Sequence, residues 1–282
     1  MNITDLLRQA SQRLQEAGVE SPRLDAEVLL AHAMGIDRVR IITGGDREVP
    51  DNERRSFDSM IDRRARREPA AYIMGAKEFY SLEFEVNERV LIPRPETELL
   101  VDLALYHAPR GGRVIDVGTG SGAIAVAVVR NRPDIAMTAT DLSGDALALA
   151  HRNADALLGT HAIRFLQGDL FAPVAGERFD LIVSNPPYVD PALKGALQPD
   201  LAFEPELALY AGESGTAVVA RIIRDARDHL ADGGMVLMEI SETMKDFVER
   251  EASACGFAVS VLSDYAGLPR VASLTTRGSA HG

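Results

Sequence analysis

Apolar residues recur at helical spacing through the first quarter of the chain. Leu6, Leu7, Ala10 and Leu14 form one stripe, and Gly18 predicts its stop. Ser21-Pro22 then reads as an N-cap followed by proline at the first helical position. Leu24, Val28, Leu29 and Ala31 give a second stripe closed by Gly35. Val39–Ile42 predicts a short third helix before Gly44-Gly45. Asp51–Arg67 predicts a longer one with Phe57, Met60 and Ile61 inward. Short helices of this kind hold only by burying their stripes against one another or another domain. The period changes after residue 76. Phe79, Leu82, Phe84 and Val86 alternate with polar positions, predicting a β-hairpin with Asn87-Glu88 as a turn before Val90-Leu91-Ile92. Pro93-Arg94-Pro95 closes it, and a helix is expected from Glu96 to His107.

From about residue 110, short apolar runs alternate with helical stretches. The expected strands are Arg113–Val117, Ala136–Asp141, Ala162–Gln167, Phe179–Ser184, Met235–Ile240, Ala258–Leu262 and Arg270–Thr275. The expected helices between them are Ala123–Arg130, Gly144–Ala154, Gly215–Leu230 and Glu242–Ala254. Apolar strands with helical crossovers imply an α/β fold, a mostly parallel sheet covered on both faces. Ser263–Pro269 is too short for a crossover, so the last two strands should pair antiparallel. The reading divides the chain into a helical domain (1–75), a hairpin linker (76–92) and an α/β domain (93–282). Arg277–Gly282 reads as a disordered tail.

Composition narrows the class. The 282 residues hold 46% hydrophobic and 26% charged residues, ordinary for a soluble globular protein. No apolar run is long enough to span a membrane. The opening MNITDLLRQASQRLQEAG has no apolar core of a signal peptide and reads as a helix of the mature protein. Cys255 is the sole cysteine, which excludes an intramolecular disulfide and a cysteine-rich metal site and points to the cytoplasm. A net charge of -12 repels nucleic-acid phosphates at long range. Arg63, Arg64, Arg66 and Arg67 form a local exception, read foremost as a solvated helix face.

Candidate chemistry gathers beyond strand ends. Gly118-Thr119-Gly120-Ser121-Gly122 follows the first expected strand. Glycine permits unusual backbone angles and close ligand approach, so the turn suits a nucleotide-like cofactor. The spacing lacks G-x-G-x-x-G, which weakens a dinucleotide reading. Asp141 ends the second strand, where a carboxylate can accept from two ribose hydroxyls or cap a helix. Asp169 follows the third strand and is placed to accept from an adenine amino group, with Leu170 packing on the ring. Asp116 lies inside the first strand, to hold the glycine loop or meet a cofactor amino group.

Ser184-Asn185-Pro186-Pro187-Tyr188-Val189 follows the fourth strand. Two prolines fix φ and remove two donors while keeping their carbonyls as acceptors. Asn185 adds a carbonyl acceptor and an amide donor, and Tyr188 an aromatic face. The array suits a flat group bearing an NH2, an amide or an adenine amino group. An amide nitrogen is a poor nucleophile because its lone pair is delocalised. Acceptors from Asn185 and Pro186 would aim the nitrogen at a sulfonium methyl and favour the positive charge that grows on it.

On these motifs the chain resembles the bacterial peptide chain release factor N5-glutamine methyltransferases over nearly its full length. Those carrying the likeness are Pro22–Leu30 (PRLDAEVLL), Glu68–Gly75 (EPAAYIMG), Val90–Leu100 (VLIPRPETELL), Asp116–Gly122 (DVGTGSG) and Asn185–Val189 (NPPYV). The resemblance implies a class I Rossmann-like methyltransferase domain with a seven-stranded sheet, behind a small helical domain that recognises substrate. It implies S-adenosylmethionine as cofactor, S-adenosylhomocysteine as product and no metal. Gly118 to Gly122, Asp141, Asp169, Leu170 and Asn185 would contact the cofactor. Asn185, Pro186, Pro187 and Tyr188 would hold the glutamine of the GGQ motif of class-1 release factors, with Asn185, Pro186 and Tyr188 acting in catalysis. The implied partner is a class-1 release factor, with no stable nucleic-acid binding, no membrane association and a monomeric state. Some relatives carry an aromatic residue at Leu170, for which Phe171 is a possible substitute. Ser81 stands where glycine is usual. Two related readings share the NPPY motif: a glutamine methyltransferase for ribosomal protein L3, and an adenine-N6 methyltransferase acting on a flipped base. A non-catalytic binding module on the same fold is a third.

Overall fold

The computed structural model describes residues 1–160, 162–194, 197–210 and 215–276, so the tail expected at 277–282 lies outside the described residues. By contacts, the chain forms two compact units, Met1–Ala76 with Gln198–Phe203, and Lys77–Leu197 with Glu204–Gly282.

The first unit is helical. Its elements are α1 (Ile3–Glu16), α2 (Pro22–Met34), α3 (Arg38–Thr43), α4 (Asp51–Ala65) and α5 (Ala70–Met74). The core joins Ile3, Leu7 and Leu14 of α1 to Leu29 and Leu30 of α2, and to Phe57 and Ile61 of α4. Of the expected stripe on α2, Leu29 and Ala31 are buried and Val28 is half-buried, whereas Leu24 is exposed; Ala26 and Leu30 complete the buried face. The arginine run is not a solvated face. Arg64 is buried between Asp25 (2.6 Å) and Asp200 (2.7 Å), Arg67 also bonds Asp200 (2.6 Å), and Arg63 chelates Glu68. Arg66 alone of the four is exposed.

The second unit opens with a hairpin of β1 (Ala76–Phe79) and β2 (Leu82–Glu85). The expected turn at Asn87-Glu88 is not the hairpin turn, and Val90–Ile92 is not a strand. The chain reverses at Tyr80 and Ser81, both at positive φ (51° and 58°), as a two-residue turn between twisted strands demands. Pro95–Thr97 forms a 3-10 turn before α6 (Glu98–His107). The alternation then runs β3 (Arg113–Val117), α7 (Ala123–Asn131), β4 (Ala136–Asp141), α8 (Gly144–Leu158), β5 (Ile163–Gln167), β6 (Phe179–Ser184), α9 (Glu206–Leu209), α10 (Ala217–His229), β7 (Leu230–Glu239), α11 (Lys245–Ala254), β8 (Phe257–Ser263) and β9 (Pro269–Thr276).

These strands form one sheet in the order β5-β4-β3-β6-β7-β9-β8. β3 to β7 pair in parallel, whereas β9 runs antiparallel between β7 and β8, as the short 263–269 connection requires. Val114 to Val117 are all buried, the mark of a central strand covered on both faces. Successive strands step from β3 toward β5 on one side and from β6 toward β7 on the other. The order therefore reverses between β3 and β6, and the crevice beyond their carboxyl ends is where open α/β sheets take ligands. The Ser184 hydroxyl bonds the Val117 carbonyl at 2.6 Å across that junction. This is the class I Rossmann-like methyltransferase architecture expected from the sequence.

Candidate active site

The glycine loop leaves β3 and is pinned to the end of β4. The Thr140 carbonyl accepts from the N–H groups of Gly118 (2.9 Å) and Thr119 (3.0 Å). The Asp141 carboxylate accepts from Gly120 N–H (2.8 Å) and Ser143 N–H (2.9 Å). Ser143, not Asp141, caps α8, its hydroxyl accepting from Ala146 N–H. Asp141 therefore bridges loop and helix and still has lone pairs to offer a ligand. Burial pushes its pKa up, while the N–H groups of Ser143, Gly120 and Leu142 pull the other way.

The three glycines differ. Gly118, Gly120 and Gly122 all have positive φ. A Cβ on Gly118 or Gly120 would meet nothing within 4 Å, so their surface forms an open cradle. A Cβ on Gly122 would sit 3.1 Å from Ala150 Cβ, so Gly122 permits close packing of α7 on α8. Beneath the loop, Asp116 is fully buried. One oxygen accepts from the Thr119 hydroxyl at 2.6 Å, so Asp116 does hold the glycine loop. Its Oδ1 has no partner among the described residues. Burial pushes its pKa up to about 7, opposed by the Thr119 bond and reinforced by Asp141.

A cavity of about 270 Å³ opens over these strand ends. Of the expected site residues, Gly118, Thr119, Gly120, Ser121, Asp141, Asp169, Leu170, Asn185 and Pro187 line it. Gly122, Pro186 and Tyr188 are not among the lining residues. Asp169 is engaged by Arg221 of α10 at 2.6 Å, and both face the cavity. Leu170 adopts a left-handed φ of 50° where it lines the cavity. Phe171 does not take over an aromatic role there. It turns into the core and stacks on His229 at 4.7 Å.

The Asn185 side chain donates from Nδ2 to Thr97 Oγ1 at 3.1 Å. Tyr188 donates from its hydroxyl toward Glu239 Oε1 at 3.4 Å, and its pKa is pushed up to about 12 by burial and by that carboxylate. Arg94 pairs with the buried Glu204, which also accepts from Ile92 N–H at 3.1 Å. That anchor fixes a wall of Leu91 and Pro93 beside Pro205, Leu207, Ala208 and Tyr210. Sequence reasoning missed Thr97, Arg221 and Glu239. Thr97 lay within a quoted motif. Glu239 is a lone carboxylate closing the apolar run MVLME, a signal visible in the sequence.

The residues present fit a nucleoside cofactor with a charged tail. The open cradle at Gly118 and Gly120 and the carboxylate at Asp141 supply backbone approach and an acceptor. Among the described residues no group of three or more His, Cys, Asp or Glu is arranged to hold a metal ion.

Comparison with known proteins bears on this cleft. A family model described as the PrmC N-terminal domain matches residues 5–75, and one described as the methyltransferase small domain matches residues 95–198. A release factor glutamine methyltransferase of Deinococcus radiodurans is 41% identical over 273 residues, covering 96% of this chain and 97% of that protein. One from Escherichia coli K12 is also 41% identical, covering 96% and 98%. In fold, a solved methyltransferase from Pyrococcus furiosus aligns with a TM-score of 0.56 at 21% identity, covering 77% of this chain and 98% of that one.

Proposed function

We propose that this chain, which belongs to the release factor glutamine methyltransferase family, methylates the side-chain amide nitrogen of the GGQ glutamine in class-1 peptide chain release factors, and so modulates translation termination. The observation that carries the reading is one cavity lined both by the glycine loop of β3 and by Asn185 and Pro187 after β6. A cofactor cradle and an amide-binding loop thus meet at the sheet's reversal point.

S-adenosylmethionine supplies a methyl carbon made electrophilic by its sulfonium, and S-adenosylhomocysteine is left. Gly118, Thr119, Gly120 and Ser121 would hold it by backbone approach, with Gly122 setting the loop against α8. Asp141 would accept from the ribose, and Leu170 would pack on the adenine, with Asp169 near its amino group. The substrate amide would rest between Asn185, Pro186, Pro187 and Tyr188. The Asn185 side-chain carbonyl and the Pro186 carbonyl would accept its two N–H groups and aim the nitrogen's lone pair at the methyl. As the N–C bond forms and the C–S bond breaks, positive charge grows on nitrogen, and fixed acceptors stabilise it. The nitrogen then sheds one proton. Tyr188, off the cavity lining and with its hydroxyl toward Glu239, would back this loop from behind. The helical unit is read as the substrate-recognition domain, and the protein as a cytoplasmic monomer. Among the described residues no helix is long and apolar enough to cross a membrane.

The test is methyl transfer from labelled cofactor to purified class-1 release factor, ribosomal protein L3 and adenine-containing nucleic acid, with mass spectrometry locating the methyl. Methyl on the GGQ glutamine supports the reading, and Asn185→Ala should then lower kcat by about 10²–10³ at saturating substrates. Methyl on L3 or on adenine alone would overturn it.

A further inference from the structure

Asn153 of α8 is 3% exposed and lies off the cavity lining, and the function above leaves it without a role. Both of its amide protons and its carbonyl oxygen are engaged, with two segments distant in the chain. Nδ2 donates to the Ser121 carbonyl at 2.9 Å and to the Glu85 carbonyl at 3.1 Å, and Oδ1 accepts from Glu85 N–H at 2.8 Å. Toward β2 the side chain acts as a neighbouring strand would, taking both the donor and the acceptor of one residue. Toward the glycine loop it holds the carbonyl of Ser121, which lines the cavity. The hairpin segment it holds lies between Phe79 and the run Arg89, Val90 and Leu91, and all four line the cavity as well. Packing does not call for an amide here. Leu149, Ala150 and Ala154 already bury the apolar face of α8, and a buried amide is costly unless its bonds are made.

We propose that Asn153 is a positioning residue that ties the cofactor loop to the hairpin wall of the cavity, so that a bound cofactor sets that wall in place for the protein substrate. The glycine loop carries much of the backbone freedom around the cavity, since Gly118, Gly120 and Gly122 all sit at positive φ. A cofactor that packs on the loop removes that freedom and fixes the Ser121 carbonyl. The Asn153 amide is held at both ends by buried hydrogen bonds, so it passes the constraint to the Glu85 backbone. Leu82–Glu85 itself does not line the cavity, so a cofactor acts on this strand only through a link. The other end of the hairpin segment, Val90 and Leu91, shares the cavity with Asn185. Cofactor and protein substrate then raise each other's affinity by one and the same factor. The coupling to the protein substrate rests on the function proposed above, whereas the effect on β2 rests on the cofactor alone.

The experiment uses the full chain and S-adenosylhomocysteine, which binds without turnover. Asn153→Ala breaks the tie and leaves space for water to satisfy the freed backbone groups. Arg152→Ala is the control. Arg152 also holds β2, chelating the Glu85 carboxylate at 2.7 and 2.9 Å, but its bonds reach only Glu85 and Ala148, not the glycine loop. At saturating S-adenosylhomocysteine, amide exchange at 82–86 should slow about tenfold in the parent and in Arg152→Ala, and by no more than about twofold in Asn153→Ala. Affinity for a class-1 release factor should rise about tenfold on adding S-adenosylhomocysteine to the parent, and by no more than about twofold in Asn153→Ala. An asparagine that only stabilises the fold would lower the denaturation midpoint when replaced and leave both effects in place. Unslowed exchange at 82–86 in the parent would overturn the proposal, as would undiminished slowing in Asn153→Ala or equal loss in Arg152→Ala. A release factor that binds with the same affinity whether or not the cofactor is present would overturn it too. If Asn153→Ala does not fold or binds no cofactor, the parent and Arg152→Ala decide. If no release factor binds or is methylated, the functional reading falls and exchange at 82–86 alone decides the tie.

Discussion

Asp116 sits in β3 with no exposure, one carboxylate oxygen held by Thr119 and the other without a partner. Burial disfavours the charged form, so the pKa rises from 3.8 to about 7. The native state thus binds this proton more tightly than the unfolded chain does. Its contribution is fully present below pH 4 and is lost as pH climbs through about 7. Asp116→Asn keeps an acceptor for the Thr119 hydroxyl and removes the titration. Relative to the parent, the variant should therefore gain about 2–3 kcal/mol between pH 5 and pH 8. Urea unfolding of both proteins at the two pH values measures it, and a parallel pH dependence would contradict the assignment. At this scale the sequence was only half informative. It placed Asp116 inside a strand, Asp141 at a strand end and Asn185 just beyond one, because a strand followed by a glycine or proline loop is a local pattern. It did not pair Asp169 with Arg221, 52 residues away, or Asn185 with Thr97, 88 residues away. Such partners are chosen by the sheet order, which no local period encodes.

Among the elements, the strands and crossover helices of the second unit were legible because each buries a continuous apolar run or stripe. The hairpin was legible as alternation but not in its turn. Tyr80 and Ser81 are poor residues for left-handed backbone, so the turn signal pointed instead to Asn87-Glu88. What holds the turn is tertiary: Tyr80 N–H bonds Glu98 at 2.9 Å and its hydroxyl bonds Asp102 at 2.7 Å. Ser81, at φ 58°, has no such side-chain hydrogen bond among the described residues. Ser81→Gly should stabilise the protein by up to about 1 kcal/mol, the left-handed penalty less the added freedom of the unfolded chain. Denaturant midpoints at unchanged m-value would show it, and a loss of stability would mean the strain is not in φ. The α7–α8 contact makes a second test. Gly122→Ala combines a positive φ with a Cβ 3.1 Å from Ala150, and should cost about 2–3 kcal/mol. Gly118→Ala meets open space and lacks the packing part of that penalty, so its main effect should be on cofactor affinity. Equal stability losses at the two sites would show that the backbone angle alone matters.

For the whole molecule, the division into two units gives ligand binding a spatial signature. Every cavity-lining residue belongs to the second unit, while α1 to α4 and the segment 198–203 belong to the first. That segment is joined to the helices through Asp200, bonded to the buried Arg64 and to Arg67. The sequence period could not reveal this excursion, because residues 198–203 carry no apolar stripe and are recruited by charge. A ligand that binds only the native second unit stabilises it by mass action, by about 2.7 kcal/mol at a hundredfold excess over Kd. Amide hydrogen exchange should therefore slow around 117–122, 141–143, 169–170 and 185–188 when S-adenosylmethionine is added. Exchange in α1 to α4 should stay unchanged, because no group there reaches the cavity. Adding a class-1 release factor on top should then slow exchange in the helical unit, since a single glutamine side chain offers too little surface to select a protein. The two ligands thus report on separate parts of the chain. Protection of α1 to α4 by the cofactor alone would mean the units unfold together. A release factor that is methylated yet leaves helical-unit exchange unaltered would remove the recognition role assigned to residues 1–75.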